Sequence, residues 1–160
     1  MEGLNLSNNR IQEIPSSLSK FLKLQSLDLS NNKISENIKV IGDLIQLQVL
    51  NLSNNRIKEI PSLAKLFKLQ NLDLSSNMIN DENILTIFIA ELIQLDVLSL
   101  SNNQIEEIPS SLSRLFQLQK LNLANNRIGD KIEGISNLIQ ASKKIRLIDL
   151  KSKFYHQFFN

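Results

Sequence analysis

The sequence predicts an α/β solenoid, with a curved parallel β-sheet on the concave side and turns and short helices on the convex side. Three observations carry this expectation. One short apolar pattern recurs at a nearly constant step along almost the whole chain. Its internal spacing suits a brief strand entered by one turn and left by another. The stretches between copies hold either proline or apolar residues at helical spacing.

The pattern is Leu-x-x-Leu-x-Leu-x-x-Asn-x-Ile. It reads Leu24, Leu27, Leu29, Asn32 and Ile34 in one copy, and recurs over 47–57, 69–79, 95–105 and 118–128. A first copy starts at Met1 and runs through Leu4, Leu6 and Asn9 to Ile11. A worn copy keeps Ile145, Ile148 and Leu150 but has Lys153 in the Asn position. The starts at 1, 24, 47, 69, 95, 118 and 145 give steps of 23, 23, 22, 26, 23 and 27 residues. One copy alone cannot bury its leucines. Neighbouring copies can, by stacking their strands in parallel and merging the inward residues into one core. The Asn stands where the chain turns away from the strand, and there its amide can both donate to and accept from backbone groups that need partners.

The period and these residues resemble the leucine-rich repeat family over about residues 1–150. The resemblance implies a right-handed leucine-rich repeat solenoid. It also implies an asparagine ladder between adjacent coils, made here by Asn9, Asn32, Asn55, Asn77, Asn103 and Asn126. The repeat domain is expected over 1–153. Residues 154–160 form an aromatic tail or partial C-terminal cap, holding Phe154, Tyr155, Phe158 and Phe159.

The repeats alternate in type. The odd ones carry Glu-Ile-Pro-Ser at Glu13–Ser16, Glu59–Ser62 and Glu107–Ser110, and these use every proline in the chain. Proline fixes φ and lacks a donor, so these coils should return by a tight turn with at most a short helical turn. The even ones end in Leu-Ile-Gln and have apolar spacing near three and four, as in Ile84, Ile87, Phe88 and Leu92. Helices are expected near 81–93 and 130–141, with Asn80 or Asp81 as N-cap of the first, and a shorter one near 37–45. Within the family, the Ile-Pro type is similar to intracellular repeat proteins, including a plant Ras-group type. The proline-free type is nearer the phosphatase-regulator type.

Composition narrows the function. The chain has 160 residues, 42% hydrophobic, with 18 basic and 16 acidic residues and a formal charge of +2. That balance suggests neither nucleic acid nor an anionic membrane as partner. The local basic cluster Lys143, Lys144, Arg146, Lys151 and Lys153 reads as a solvated final turn, with an anion or phosphate contact as the alternative. No run of eighteen apolar residues suggests a membrane span. Cysteine is absent. Secreted members of the family usually carry cysteine-bonded caps, so the expectation is the cytoplasm, with the nucleus as an alternative.

No catalytic constellation is visible. The single histidine, His156, lies in the tail, the glycines are isolated, and the paired serines have no histidine partner. The chain is therefore read as a non-enzyme without cofactor or metal. Its leading function is a non-catalytic protein–protein interaction module, an intracellular adaptor or regulator. One alternative is a recognition segment of a larger signalling enzyme or of a phosphatase, kinase or GTPase complex; another is a structural or cytoskeletal scaffold.

The candidate binding surface is the outer face of the strands and its rim. Counting the first Leu as place one, the third-place candidates are Val49, Asn71, Val97 and Lys120. The fifth-place candidates are Asp28, Asn51, Asp73 and Ser99, and on the rim after the Asn stand Arg56 and Arg127. The seventh place, occupied mostly by serine, is expected to face outward with them. The first repeat lacks a polar cap, so Leu4, Leu6, Ile11, Ile14, Leu18 and Phe21 should present an apolar flank through which the chain could self-associate.

Overall fold

The computed structural model describes residues 2–60, 62–80, 91–108, 110–129, 136, 137, 139, 140 and 145–149. Each copy of the pattern contributes one strand of three residues. These are β1 (Gly3–Asn5), β2 (Ser26–Asp28), β3 (Val49–Asn51), β4 (Asn71–Asp73), β5 (Val97–Ser99), β6 (Lys120–Asn122) and β7 (Leu147–Asp149). They form a seven-stranded parallel sheet in sequence order. The register never slips. The fourth-place residues Leu4, Leu27, Leu50, Leu72, Leu98, Leu121 and Ile148 pair in succession.

That register follows from the sequence. Three residues centred on a leucine point one side chain inward and two outward. A one-residue slip would turn the leucine to water and the polar neighbours to the core. The first-, fourth- and sixth-place leucines of the second to sixth coils are all at most 2% exposed. The eleventh-place Ile34, Ile57, Ile79 and Ile105 join them in one continuous cluster. At the two ends, Leu4, Leu6, Ile11, Ile128, Ile145 and Ile148 are only half-buried against that cluster. An inner leucine of this kind stabilises by about 1.5–3 kcal/mol through burial alone.

The return segments differ from one another as the repeat types do. Pro15, in extended conformation, leads into a 3-10 helix at Ser16–Lys20, and an equivalent 3-10 helix occupies Ser110–Arg114. The third coil has lost one serine: Ser62-Leu63 stands where Ser16-Ser17-Leu18 stood. It keeps the turn bond from Leu66 N to Leu63 O at 2.8 Å, but not the helix. A one-residue deletion thus explains the short 22-residue step.

The even coil at Ile38–Asp43 is also a 3-10 helix rather than the short α-helix expected near 37–45. Asn37 before it sits in the left-handed region at φ 60° and donates to Glu13 Oε1 at 2.7 Å, which pins the entry of the segment to the preceding coil. Gly42 lies so close to the third coil that a Cβ there would stand 3.0 Å from the carbonyl oxygen of Ser62. Six residues squeezed between such neighbours take the narrower helix. Of the helix expected near 81–93, residues 81–90 lie outside the described residues, and Glu91 is 3-10. Of that expected near 130–141, the described Ser136, Asn137, Ile139 and Gln140 are α-helical. The tail 154–160 and most of the basic cluster at 143–153 lie outside the described residues. Among the described residues, no helix is long and apolar enough to cross a membrane.

Candidate functional site

The sheet is held by its turn residues as much as by its leucines. The ninth-place asparagines of the second to sixth coils reach back to the preceding coil. Asn55 Oδ1 accepts from Ile34 N at 2.9 Å, while its Nδ2 donates to Leu29 O of the preceding coil and to Leu52 O and Ser53 O of its own. Asn32, Asn77, Asn103 and Asn126 repeat this pattern, accepting from Ile11, Ile57, Ile79 and Ile105 respectively. These five amides are buried. Asn9 differs. It is exposed, and its Nδ2 donates only to Leu6 O and Ser7 O within its own coil.

The residue before each ladder Asn has a separate task. Asn8, Asn31, Asn54, Ser76, Asn102 and Asn125 all have φ between 53° and 58°. Asparagine tolerates that left-handed conformation better than most residues. The side chains also link across coils: Asn54 Nδ2 donates to Asn31 Oδ1 at 2.6 Å, and Asn125 Nδ2 donates to Asn102 Oδ1 at 3.0 Å. In Asn31-Asn32, Asn54-Asn55, Asn102-Asn103 and Asn125-Asn126 the first residue makes the turn and the second bonds backbone of the preceding coil.

The outward face is built on this frame. Ser26, Val49, Asn71 and Lys120 at the third place are exposed, with Val49 at 37%, and Val97 is half-buried. The fifth-place residues are more committed than their sequence position suggested. Asp28, Asn51 and Asp73 are half-buried, and each accepts from the backbone N–H two residues on, at 2.9, 3.0 and 2.9 Å. This bond closes the turn that ends each strand. Ser99 is half-buried at the same place.

The seventh place corrects the expectation. Ser30, Ser101 and Ala124 are buried, not outward, because the strand has ended and the chain is already turning in. Ser53 and Ser75 donate their hydroxyls to Asn51 Oδ1 and Asp73 Oδ1 at 2.8 and 2.6 Å. Along the rim, Arg10, Lys33, Arg56 and Arg127 are all exposed. Val49, Asn71, Val97 and Lys120 thus stand side by side in register on adjacent strands, while Asp28, Asn51 and Asp73 share in holding the scaffold.

The N-terminal flank is narrower than the sequence implied. Leu4, Leu6 and Ile11 are half-buried and Phe21 is 40% exposed, but Ile14 and Leu18 are buried at 0% and 4%. The Ser16–Lys20 helix, which carries Leu18, packs against the Ile38–Asp43 helix of the next coil.

One exposed feature escaped the sequence reading. Two residues before each first-place leucine stands a large apolar side chain: Leu22, Ile45, Phe67, Ile93 and Phe116, at 58, 37, 55, 46 and 55% exposure. Next to it the preceding residue (Leu44, Leu66, Leu92 or Leu115) is buried. In the sequence the two blend into one apolar run, and the inner member hides the outer. Among the described residues, no group of His, Cys, Asp and Glu is arranged to hold a metal ion.

Comparison with known proteins agrees with this architecture. The family described as "Leucine Rich repeats (2 copies)" matches residues 1–41, 45–88 and 93–137. The chain belongs to the leucine-rich repeat family, and its fold is the α/β solenoid of that family, with the parallel sheet on the concave side. Among solved structures, an internalin from Listeria monocytogenes is 31% identical, with a TM-score of 0.75 over 91% of this chain and 40% of its own. A leucine-rich repeat protein of Leptospira interrogans is 28% identical, with a TM-score of 0.84 over 94% of this chain and 37% of its own. A second Listeria monocytogenes protein, whose functional domain includes a cysteine ladder, shares the fold at 23% identity, with a TM-score of 0.75 over 94% of this chain and 30% of its own. This chain has no cysteine. It spans well under half the length of these relatives. No curated protein matches it in sequence.

Proposed function

We propose that the chain is a non-catalytic adaptor or regulator that grips a protein partner on its concave face and basic rim. The family's fold is that of a protein-interaction module. The observation that carries the finer reading is the division of labour on the face. Asp28, Asn51 and Asp73 are tied to backbone, while Val49, Asn71, Val97 and Lys120 are held in fixed register by the paired strands. Val49, Asn71 and Val97 have few rotamers to freeze, so this part of the row costs little entropy to bind with. Beside it Arg10, Lys33, Arg56 and Arg127 offer cations to acidic groups of a partner segment. We place the module in the cytoplasm or nucleus, as its cysteine-free composition supports; fractionation of the producing cell tests that.

The experiment is capture of partners by the wild-type chain, followed by binding measurements with Val49→Arg and Arg56→Glu. Both side chains are exposed, so both variants should fold. Each is expected to weaken the captured partner by about tenfold or more. Undiminished affinity in both would move the binding site off this face.

A further inference from the structure

We propose that the apolar stripe Leu22, Ile45, Phe67, Ile93 and Phe116 is a self-association surface that pairs two copies of this chain antiparallel. The stripe runs along the edge where each coil enters its strand, one residue per coil. At about 4.8 Å between neighbouring strands it is roughly 19 Å long. Single exposed apolar residues are ordinary on a protein surface, but five in an unbroken row are a docking surface.

The flanking rows say what docks there. Two residues before the stripe on each coil stand Lys20, Asp43, Lys65, Glu91 and Arg114, all exposed and strictly alternating in sign. Lys65 Nζ already lies 3.3 Å from Asp43 Oδ1 of the preceding coil, so neighbours in this row are within ion-pair reach. On the other side stand Lys23, Gln46, Lys68, Gln94 and Gln117. A twofold axis across the stripe lays each row on its own copy in reverse order, as a symmetric dimer requires. If the axis passes through a strand, like charges meet: through β4, Asp43 faces Glu91 of the second copy and Lys68 faces Lys68.

If the axis passes between strands, unlike charges meet. Between β4 and β5, Lys65 faces Glu91, Asp43 faces Arg114, Phe67 covers Ile93 and Ile45 covers Phe116. This register buries both phenylalanines and opposes no like charges in any of the three rows. The four central apolar side chains bury on the order of 350 Å² per copy, against roughly 800 Å² in a stable pair. The charged rows add to that, and the expected dimer is weak, in the micromolar range.

Sedimentation equilibrium across a concentration series tests the proposal. Wild type should show a reversible monomer–dimer equilibrium. Phe67→Glu places a carboxylate in the apolar seat on both copies and should weaken it by more than about tenfold, with unchanged circular dichroism. Lys65→Glu and Glu91→Lys should each weaken it roughly three- to tenfold, because two copies of an exposed pair are lost. The double variant Lys65→Glu/Glu91→Lys should largely restore it, since the pair is remade across the axis between β4 and β5 but not across any other. A dimer that survives Phe67→Glu overturns the proposal and moves pairing elsewhere, for example to Leu4, Leu6 and Ile11. Failure of the double variant to recover overturns the register. A monomer at every concentration overturns self-association, and loss of a captured partner from the Phe67→Glu variant would then give the stripe to a foreign protein.

Discussion

Replacing Asn55 by alanine isolates what one rung of the ladder contributes. The side chain makes four hydrogen bonds, but they are not equally replaceable. Leu29 O keeps a donor in Asn32 Nδ2, Leu52 O keeps Asn77 Nδ2, and Ser53 O keeps the backbone N of Asn31. The group left without a partner is the N–H of Ile34, a residue with 0% exposure, which loses Asn55 Oδ1. An orphaned buried donor costs about 1–3 kcal/mol, and that is the expected loss for Asn55→Ala. Asn9→Ala is the matched control, because Asn9 is exposed and bonds only within its own coil. It should cost no more than about 0.5 kcal/mol, as surface changes do. Denaturant titration followed by circular dichroism measures both, with the slope checked for constancy so that midpoints report stability alone. Equal losses for the two variants would show that reaching the preceding coil contributes nothing, and the ladder argument would fall.

Among the described residues, Ser76 is the one non-asparagine at the left-handed position before a ladder Asn, at φ 54°. Ser76→Asn should therefore stabilise the chain by about 0.5–1 kcal/mol in the same titration; a loss would show that the turn is set by the coils and not by residue preference. Leu72, 1% exposed and paired between Leu50 and Leu98, should cost about 2–5 kcal/mol as Leu72→Ala, and a change below about 1 kcal/mol would mean the core closes over the cavity. Val49→Arg should leave the melting temperature within a degree or so of wild type, because the side chain is a surface one, while weakening partner binding. A large loss of stability there would void it as a binding probe.

How much of this was readable beforehand depends on whether a residue's role repeats with the period. The leucines and the ninth-place asparagines recur in register, and burial of an apolar group or pairing of an amide is the same need in every coil. Their places in the sheet were therefore legible. The Asn-Asn pair was legible only by half. Nothing in composition separates the residue that bends the chain at φ 56°, Asn31, from the one that bonds the preceding coil, Asn32.

The fifth-place residues Asp28, Asn51 and Asp73 look like free polar side chains until the backbone N–H two residues on is seen to point at them. The stripe was missed for the opposite reason. Phe67 beside Leu66, or Ile93 beside Leu92, reads as one apolar step, and which member faces water depends on the turn that precedes the strand. The segment at Ile38–Asp43 has helical spacing but lies against its neighbours too closely for the wider helix, a constraint set by the adjacent coil and absent from the segment itself.

The most direct test of the functional account is covalent side-chain footprinting of the chain with and without its captured partner. Protection is expected at Val49, Val97, Lys120 and Arg56, with unchanged labelling of Lys39 and Lys58 on the return side of the coils. Protection confined to those return-side lysines, with Val49 and Val97 labelled as freely as in the unbound chain, would contradict it.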